Sequence, residues 1–274
     1  MVLVSRRMKK ILFLLSFLPC FLQAEIYDCF LFYNEYVQLK CRLHELNDVV
    51  DYFVLVESVE TFQGTPKELY FDKHKEEFAP YLDRIIYVPL ENQTLSLSGQ
   101  PICSAWDREN FQRQQIMRGL SQARPTDVII VSDVDEIPRK QVVLDLATRV
   151  NPTDETIFLL SQYGANFFIN RTYGSWNGTV MASKAYFDRY SLFGVRINRE
   201  RLIPAENWIP NAGWHFSSLG GLPGWVQKLE SFSHVEANRL DYKTQEHLLW
   251  EINQRTLVPI DDSFPEYIRN NFKE

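Results

Sequence analysis

Apolar runs of strand length recur along the first half of the chain, each closed by polar residues. IYDCFLFY, residues 26–33, is β-prone and ends at Asn34-Glu35. Directly after it Tyr36, Leu39, Leu43 and Leu46 fall at helical spacing. VVDYFVLV, residues 49–56, ends at Glu57-Ser58, and a third run over 84–88 stops before Pro89. A polar loop, ENQTLSLSGQP, leads into a helical stretch over 106–123 that Pro125 terminates. The fourth run, DVIIVSDVDEIP over 127–138, carries mostly apolar residues straight into Asp133, Asp135 and Glu136. Unbroken apolar strands alternating with helices predict an α/β layered domain with parallel strands covered on both faces.

After Pro138 the spacing predicts a short helix to residue 150, and then the pattern turns irregular. TIFLLSQYG, ANFFINRTYGSW, NGTVMASKAYFDRY and INRERLIP read as strands and turns. GWHFSSLGG begins at Gly213, helices are predicted over 223–230 and 244–254, and SFSHVE lies between them. The last residues, with Asp261-Asp262 and Pro265, predict a loosely packed end. No internal repeat or low-complexity segment interrupts this order.

Composition narrows the picture. With 274 residues, 45% hydrophobic and 23% charged, the chain can bury one sizeable core. The net charge of -6 and the lack of a basic run beyond the first ten residues exclude a nucleic-acid partner. Residues 1–24 order Arg6, Arg7, Lys9 and Lys10 before an apolar run over 11–22 and then Gln23-Ala24. That is the order of a signal peptide cleaved after Ala24, which predicts an exported chain and one domain over 25–274. Its destination would be periplasmic, secreted or Golgi-lumenal according to host. A short membrane anchor is the alternative, although a span needs about 20 apolar residues. Cys20 would leave with the signal, and Cys29, Cys41 and Cys103 show no zinc spacing. One disulfide with a free thiol and three free thiols fit equally. Sequons at Asn92, Asn170 and Asn177 matter only in a host that glycosylates.

Asn34-Glu35, Glu57-Ser58 and Ser132-Asp133 all fall at the carboxyl ends of predicted strands, where ligands bind in parallel sheets. Two aspartates at i and i+2 in a tight turn can face one hard cation. Three acidic groups so close repel one another unless something positive neutralises them. The competing assignment is a helix cap, with Asp135 or Glu136 ahead of the helix near Pro138.

Several motifs occur in order: NEYVQLKCRLHELNDVVDYFVLVES, TFQGTPKELYF, AWDRENFQRQ, DVIIVSDVDEIP, GWHFSSLGG and KLESFSHVE. Together, from residue 26 to about 253, they resemble glycosyltransferase family 17. The resemblance implies a GT-A fold with an irregular C-terminal half, and inverting transfer of a sugar, GlcNAc from UDP-GlcNAc, to a glycan acceptor. The acceptor is an N-glycan β-mannose in the family's best-known member. It implies a divalent cation, Mn2+ or Mg2+, while any membrane association would come through the N-terminal segment. Asp133 and Asp135 match the DxD pair, Asp135 bridging metal and diphosphate and Asp133 contacting metal or ribose. Glu136 becomes a supporting residue. Asn34, Glu35 and Glu57 would line the nucleotide pocket, with turn formation and capping as the ordinary alternative.

Trp106, Glu109 and Arg113 share a helical face, so Arg113 either contacts the donor diphosphate or pairs with Glu109, the pair being favoured. His215 is either a further metal ligand or a hydrogen-bonded core residue. Glu236 is the expected catalytic base, with Glu206 and Asp241 behind it. The competing functions are a non-catalytic sugar-binding protein with the same fold, and a metal-dependent hydrolase that only HVE at His234 echoes.

Overall fold

The computed structural model describes residues 23–91, 94, 99–153 and 155–272. Residues 1–22 of the expected signal, Cys20 and Asn92 lie outside them. In chain order the elements are β1 (Ile26–Leu31), α1 (Tyr36–Leu46), β2 (Tyr52–Ser58), α2 (Tyr70–His74), β3 (Ile85–Leu90), α3 (Ala105–Gln114) and α4 (Ile116–Gly119). Then come β4 (Val128–Asp133), β5 (Glu136–Pro138), α5 (Lys140–Ala147), β6 (Ile157–Asn166), β7 (Arg171–Ser183), α6 (Lys184–Arg189) and α7 (Leu192–Leu202). The last are β8 (Trp208–Ile209), β9 (Gly213–Ser217), α8 (Gly221–Ser231), α9 (Gln245–Asn253), β10 (Thr256–Leu257) and α10 (Glu266–Asn271).

The strands form one sheet in the order β3-β2-β1-β4-β7-β6-β9-β5, with β10 on β7 and β8 on β6. The expected α/β class holds. The first four strands are parallel, as their apolar runs predict. From β7 onward the sheet is mixed, because β7 runs antiparallel to both β4 and β6 while β9 is parallel to β6.

The runs are unbroken because both faces are covered. Alternate residues of a strand point to opposite sides. Phe30, Phe53, Leu55 and Ile130 pack with Leu39, Leu43 and Leu46 of α1 and Val143 and Leu146 of α5. Cys29, Val54, Val56, Ile129 and Val131 pack on the other side with Ile116, Tyr186, Leu192 and Val195. Cys29 and Cys41 are buried, Cys103 is exposed, and all three are free thiols. Among the described residues no helix is long and apolar enough to cross a membrane.

Four expectations need correction. The second half of NGTVMASKAYFDRY is the helix α6 and not strand or turn. The helix over 106–123 is two helices, α3 and α4, separated at Gln115. INRERLIP is not strand and turn but mostly the end of α7, which Ser191 caps by accepting from the Gly194 amide. The expected loose end instead packs Phe264 and Ile268 against Cys41, Ile137 and Phe216.

One polar contact crosses the core. Asp28, midway along β1, and Arg42, on α1, are both fully buried and pair at 2.5 and 2.6 Å. Arg42 Nη1 also donates to the carbonyls of Asp133 at 2.9 Å and Glu136 at 2.7 Å, and Nη2 donates to Ser132 Oγ at 2.5 Å. One guanidinium thus ties β1 to the turn that follows β4. Replacing Arg42 with Met would leave a buried carboxylate unpaired. Urea unfolding is expected to show a loss of about 3–5 kcal/mol, partly recovered when Asp28→Asn is added. A loss under about 1 kcal/mol would contradict this role.

Candidate active site

The turn from β4 into β5 is built from its own backbone outward. Glu136, fully buried, accepts the Asp133 amide through Oε2 at 3.0 Å. The Phe216 amide donates to the Asp135 carbonyl at 2.9 Å, and Glu136 lies opposite His215 in the β5–β9 pairing. The cap reading is not realised, since Arg139 takes the N-cap position of α5 and makes no side-chain cap. The Lys140 amide donates instead to Glu45 Oε1 at 3.0 Å.

Asp133 and Asp135 point to different partners. Asp133 accepts from Arg113 at 2.8 Å and from Arg196 at 2.9 Å, one guanidinium on each oxygen. Burial opposes its charge, but those two cations outweigh it and hold the carboxyl well below the usual range. Arg113 also pairs with Glu109 at 2.9 Å, so the favoured helical pair exists and extends to Asp133. Arg196, on α7, bridges Asp133 and Glu136 and donates to the Gly178 carbonyl. Both arginines are almost fully buried, and among the described residues Arg113 Nε and Nη1 and Arg196 Nε have no hydrogen-bond partner.

Asp135 Oδ2 lies 3.3 Å from His215 Nε2 and 3.9 Å from Lys228 Nζ. Burial again works against the charge, and His215 and Lys228 reverse it, lowering the Asp135 pKa. The His215 ring stacks on Trp176, with centroids 4.7 Å apart, and its Nδ1 lies 2.5 Å from the Tyr173 hydroxyl. Burial, then Asp135 and Glu136, push the Tyr173 phenol upward, so it keeps its proton. The Trp176 indole donates to Glu136 Oε1 at 2.6 Å. Two glycines make room for this packing. A Cβ on Gly164 would meet the Tyr173 ring at 2.4 Å, and one on Gly178 would meet Glu136 Oε1 at 2.2 Å.

At the end of β1 Asn34 donates to Gln227 of α8 at 2.6 Å, and Glu35 accepts the amides of Tyr33 and Asn34 at 3.0 Å each. Burial and then the Asp135 charge raise the Glu35 pKa, the backbone amides opposing them. Glu57 ends β2 but is fully engaged by Lys67, the amides of Tyr70 and Phe71, and the Tyr87 hydroxyl. Its carboxylate holds the start of α2 in place.

Glu236 is 69% exposed and pairs with His234 at 2.7 Å. Its segment is latched to the loop after β2, where Gln63 donates to the carbonyls of Leu229 and Phe232 and accepts from Asn238. Glu206 is exposed, and Asp241 is exposed and paired with Arg239.

The implied cation can be tested against these groups. Ligands cis to each other at about 2.1 Å from a cation sit about 3 Å apart, close to the separation of Asp135 Oδ2 and His215 Nε2. Both fit. When Tyr173 donates to Nδ1, Nε2 carries the hydrogen facing Asp135; when Nδ1 carries it and donates to the phenol, Nε2 offers a lone pair. Asp133 fits only by releasing a guanidinium. Among the described residues no group of three His, Cys, Asp or Glu side chains could hold a metal, so phosphate and water would complete the shell, as is usual for magnesium.

The residues that sequence reasoning missed are Arg42, Arg196, Tyr173, Trp176 and Lys228. Gly164 and Gly178 inside strands signalled a close approach there, whereas nothing local marked the arginines.

Comparison with known proteins settles the family. A model of the family described as Glycosyltransferase family 17 matches residues 16–266, and the chain belongs to that family. The β-1,4-mannosyl-glycoprotein 4-β-N-acetylglucosaminyltransferases of Rattus norvegicus and Homo sapiens are each 30% identical to it over 186 residues, covering 64% of this chain. The match covers 33% of each of them, so the chain spans about a third of the length of these relatives. Among solved structures, 4-diphosphocytidyl-2C-methyl-D-erythritol synthase superposes with a TM-score of 0.38 at 10% identity, covering 69% of this chain and 90% of that one. S. aureus TarS 1–349 gives 0.33 at 12%, covering 70% and 60%. Scores this low carry no inference for the site.

Because the Glu35 pKa is raised in the folded state, its ionisation destabilises the fold as pH rises from the ordinary glutamate value through the folded one. Glu35→Gln removes that cost and can keep the backbone bonds through its amide oxygen. Its melting temperature is expected to exceed that of the parent at pH 8, with the gain vanishing below about pH 4. An equal difference at both ends of a thermal-melt pH series would refute this.

Proposed function

We propose that the chain is a metal-dependent, inverting glycosyltransferase that moves GlcNAc from UDP-GlcNAc, in β linkage, onto a glycan acceptor. The observation that carries this reading is the Asp135–His215 pair beyond the carboxyl ends of the parallel strands, where α/β sheets bind ligands. The names of the mammalian relatives, which specify N-acetylglucosaminyl transfer to a β-1,4-mannosyl-glycoprotein, support the donor and the class of acceptor.

In this reading Asp135 and His215 hold the cation, and Asp133 joins them only when Arg113 or Arg196 turns away. When bound, a divalent cation offsets the charge that develops on a departing diphosphate. The chain's own residues do the positioning. Tyr173 and Trp176 orient His215, Glu136 and Arg196 hold the turn, and Asn34 and Glu35 line the nucleotide side. Arg113 acts through Asp133, and Glu57 acts by fixing the start of α2.

Glu236 is the proposed base, carried on the segment that Gln63 latches. Its own backbone amide and then His234 lower its pKa, the wrong direction for accepting a proton near neutral pH. Serving as base therefore requires its release from His234.

Incubation with UDP-GlcNAc, manganese and a mannose-terminated glycan is expected to release UDP and extend the glycan. Asp135→Asn should cut turnover by about 100-fold or more with little change in melting temperature. Glycan binding without any consumption of UDP-sugar would point to a sugar-binding protein instead, and a fully active Asp135→Asn would remove Asp135 from the site.

A further inference from the structure

Among the described residues, four lysine and arginine side chains bond to or pair with the acidic turn, and three are engaged inside it. Arg42 holds Asp28 and the turn carbonyls, Arg113 holds Asp133 and Glu109, and Arg196 holds Asp133 and Glu136. All three are nearly or fully buried. Lys228 is different. Its side chain is 33% exposed, and its Nζ stands 3.9 Å from Asp135, beyond hydrogen-bond length. It donates to Ser217 Oγ. An ammonium has three N–H groups, so donors remain that can face the crevice.

The helix that carries Lys228 is held over that crevice. Its neighbour Gln227 accepts from Asn34 and donates to the Tyr33 hydroxyl at 3.2 Å, which fixes α8 across the end of β1. On the far side the Phe62 amide donates to the Ser231 carbonyl at 3.0 Å, and Gln63 bonds the carbonyls of Leu229 and Phe232. Lys228 therefore hangs between the proposed nucleotide side, at Asn34 and Glu35, and the Asp135–His215 pair. A group bridging those two places in a sugar nucleotide is its diphosphate.

We infer that Lys228 binds the donor diphosphate, and that it does so in place of Arg113, for which the sequence had favoured pairing with Glu109 over a diphosphate contact. The inference rests on the proposed function and names the group that holds the leaving phosphate. As the bond from the anomeric carbon to the β-phosphate oxygen breaks, its electron pair stays on the phosphate. The acceptor oxygen takes the carbon and gives its proton to the base. Lys228 offsets the charge left on the nucleoside diphosphate and keeps contact with it as product.

Calorimetric titration with UDP, and with uridine as the phosphate-free probe, tests this directly. In EDTA, which removes any contribution from metal, Lys228→Gln is expected to weaken UDP binding by about 10- to 100-fold. Uridine affinity and melting temperature should stay as in the parent. Lys228→Arg, which keeps the charge, should recover most of the loss. A merely structural role would weaken both probes together, and that result overturns the inference. So does a Lys228→Gln variant that binds UDP as tightly as the parent, while leaving the functional reading intact. Failure of the parent chain to bind UDP in either EDTA or manganese would overturn both.

Discussion

Negative charge at a buried strand end is the constraint around which this molecule is arranged. β4 delivers Asp133, Asp135 and Glu136 to one short turn, and Glu136 is fully shielded from water. Taking a single such ion out of solvent costs several kcal/mol unless it is paired and hydrogen-bonded. The pairing comes from within. Arg42 arrives from α1, Arg113 from α3 and Arg196 from α7, so three helices on the sheet are located by the same need. Arg113 Nε and Nη1 and Arg196 Nε find no hydrogen-bond partner among the described residues.

The two halves of the sheet contribute different chemistry. The parallel strands present carboxylates and backbone at their carboxyl ends, a geometry that follows from their common direction. The mixed half returns along β7 and β9 to place Tyr173, Trp176 and His215 against that turn, and α8 then adds Lys228. Neither half makes a site alone. The Asp135 side chain has its nearest partners entirely in the second half, although its position is set by the first.

Much of the first half was legible because its information is periodic. Apolar runs of strand length and the 36-39-43-46 spacing translate directly into β1, α1, β2 and β4, and the acidic turn was visible as a charge anomaly. α7 was not legible. Ile197 and Leu202 on it are exposed while Arg196 is buried, so its hydrophobic pattern does not report its inward face. Arg42 was hidden for the same reason, as a charged residue on a helix face that happens to meet Asp28. Glu57 was legible as a strand end, while the partners that engage its carboxylate, Lys67, Tyr87 and the amides that open α2, were not. The C-terminal segment looked loose because the residues that anchor it, Phe264 and Ile268, are isolated in a polar stretch.

Arg196 stands 63 residues after Asp133 in the chain. During synthesis the parallel strands and the acidic turn therefore leave the ribosome well before the cation that completes them. Until α7 follows, Asp133 has only Arg113 and the Glu136 carboxylate has no guanidinium partner, so closing the turn early would bury charge that is only partly compensated. Long-range contacts of this kind are made late because the chain entropy must be given up first. The charge of the turn is thus fully paired only once the second half of the chain has been made.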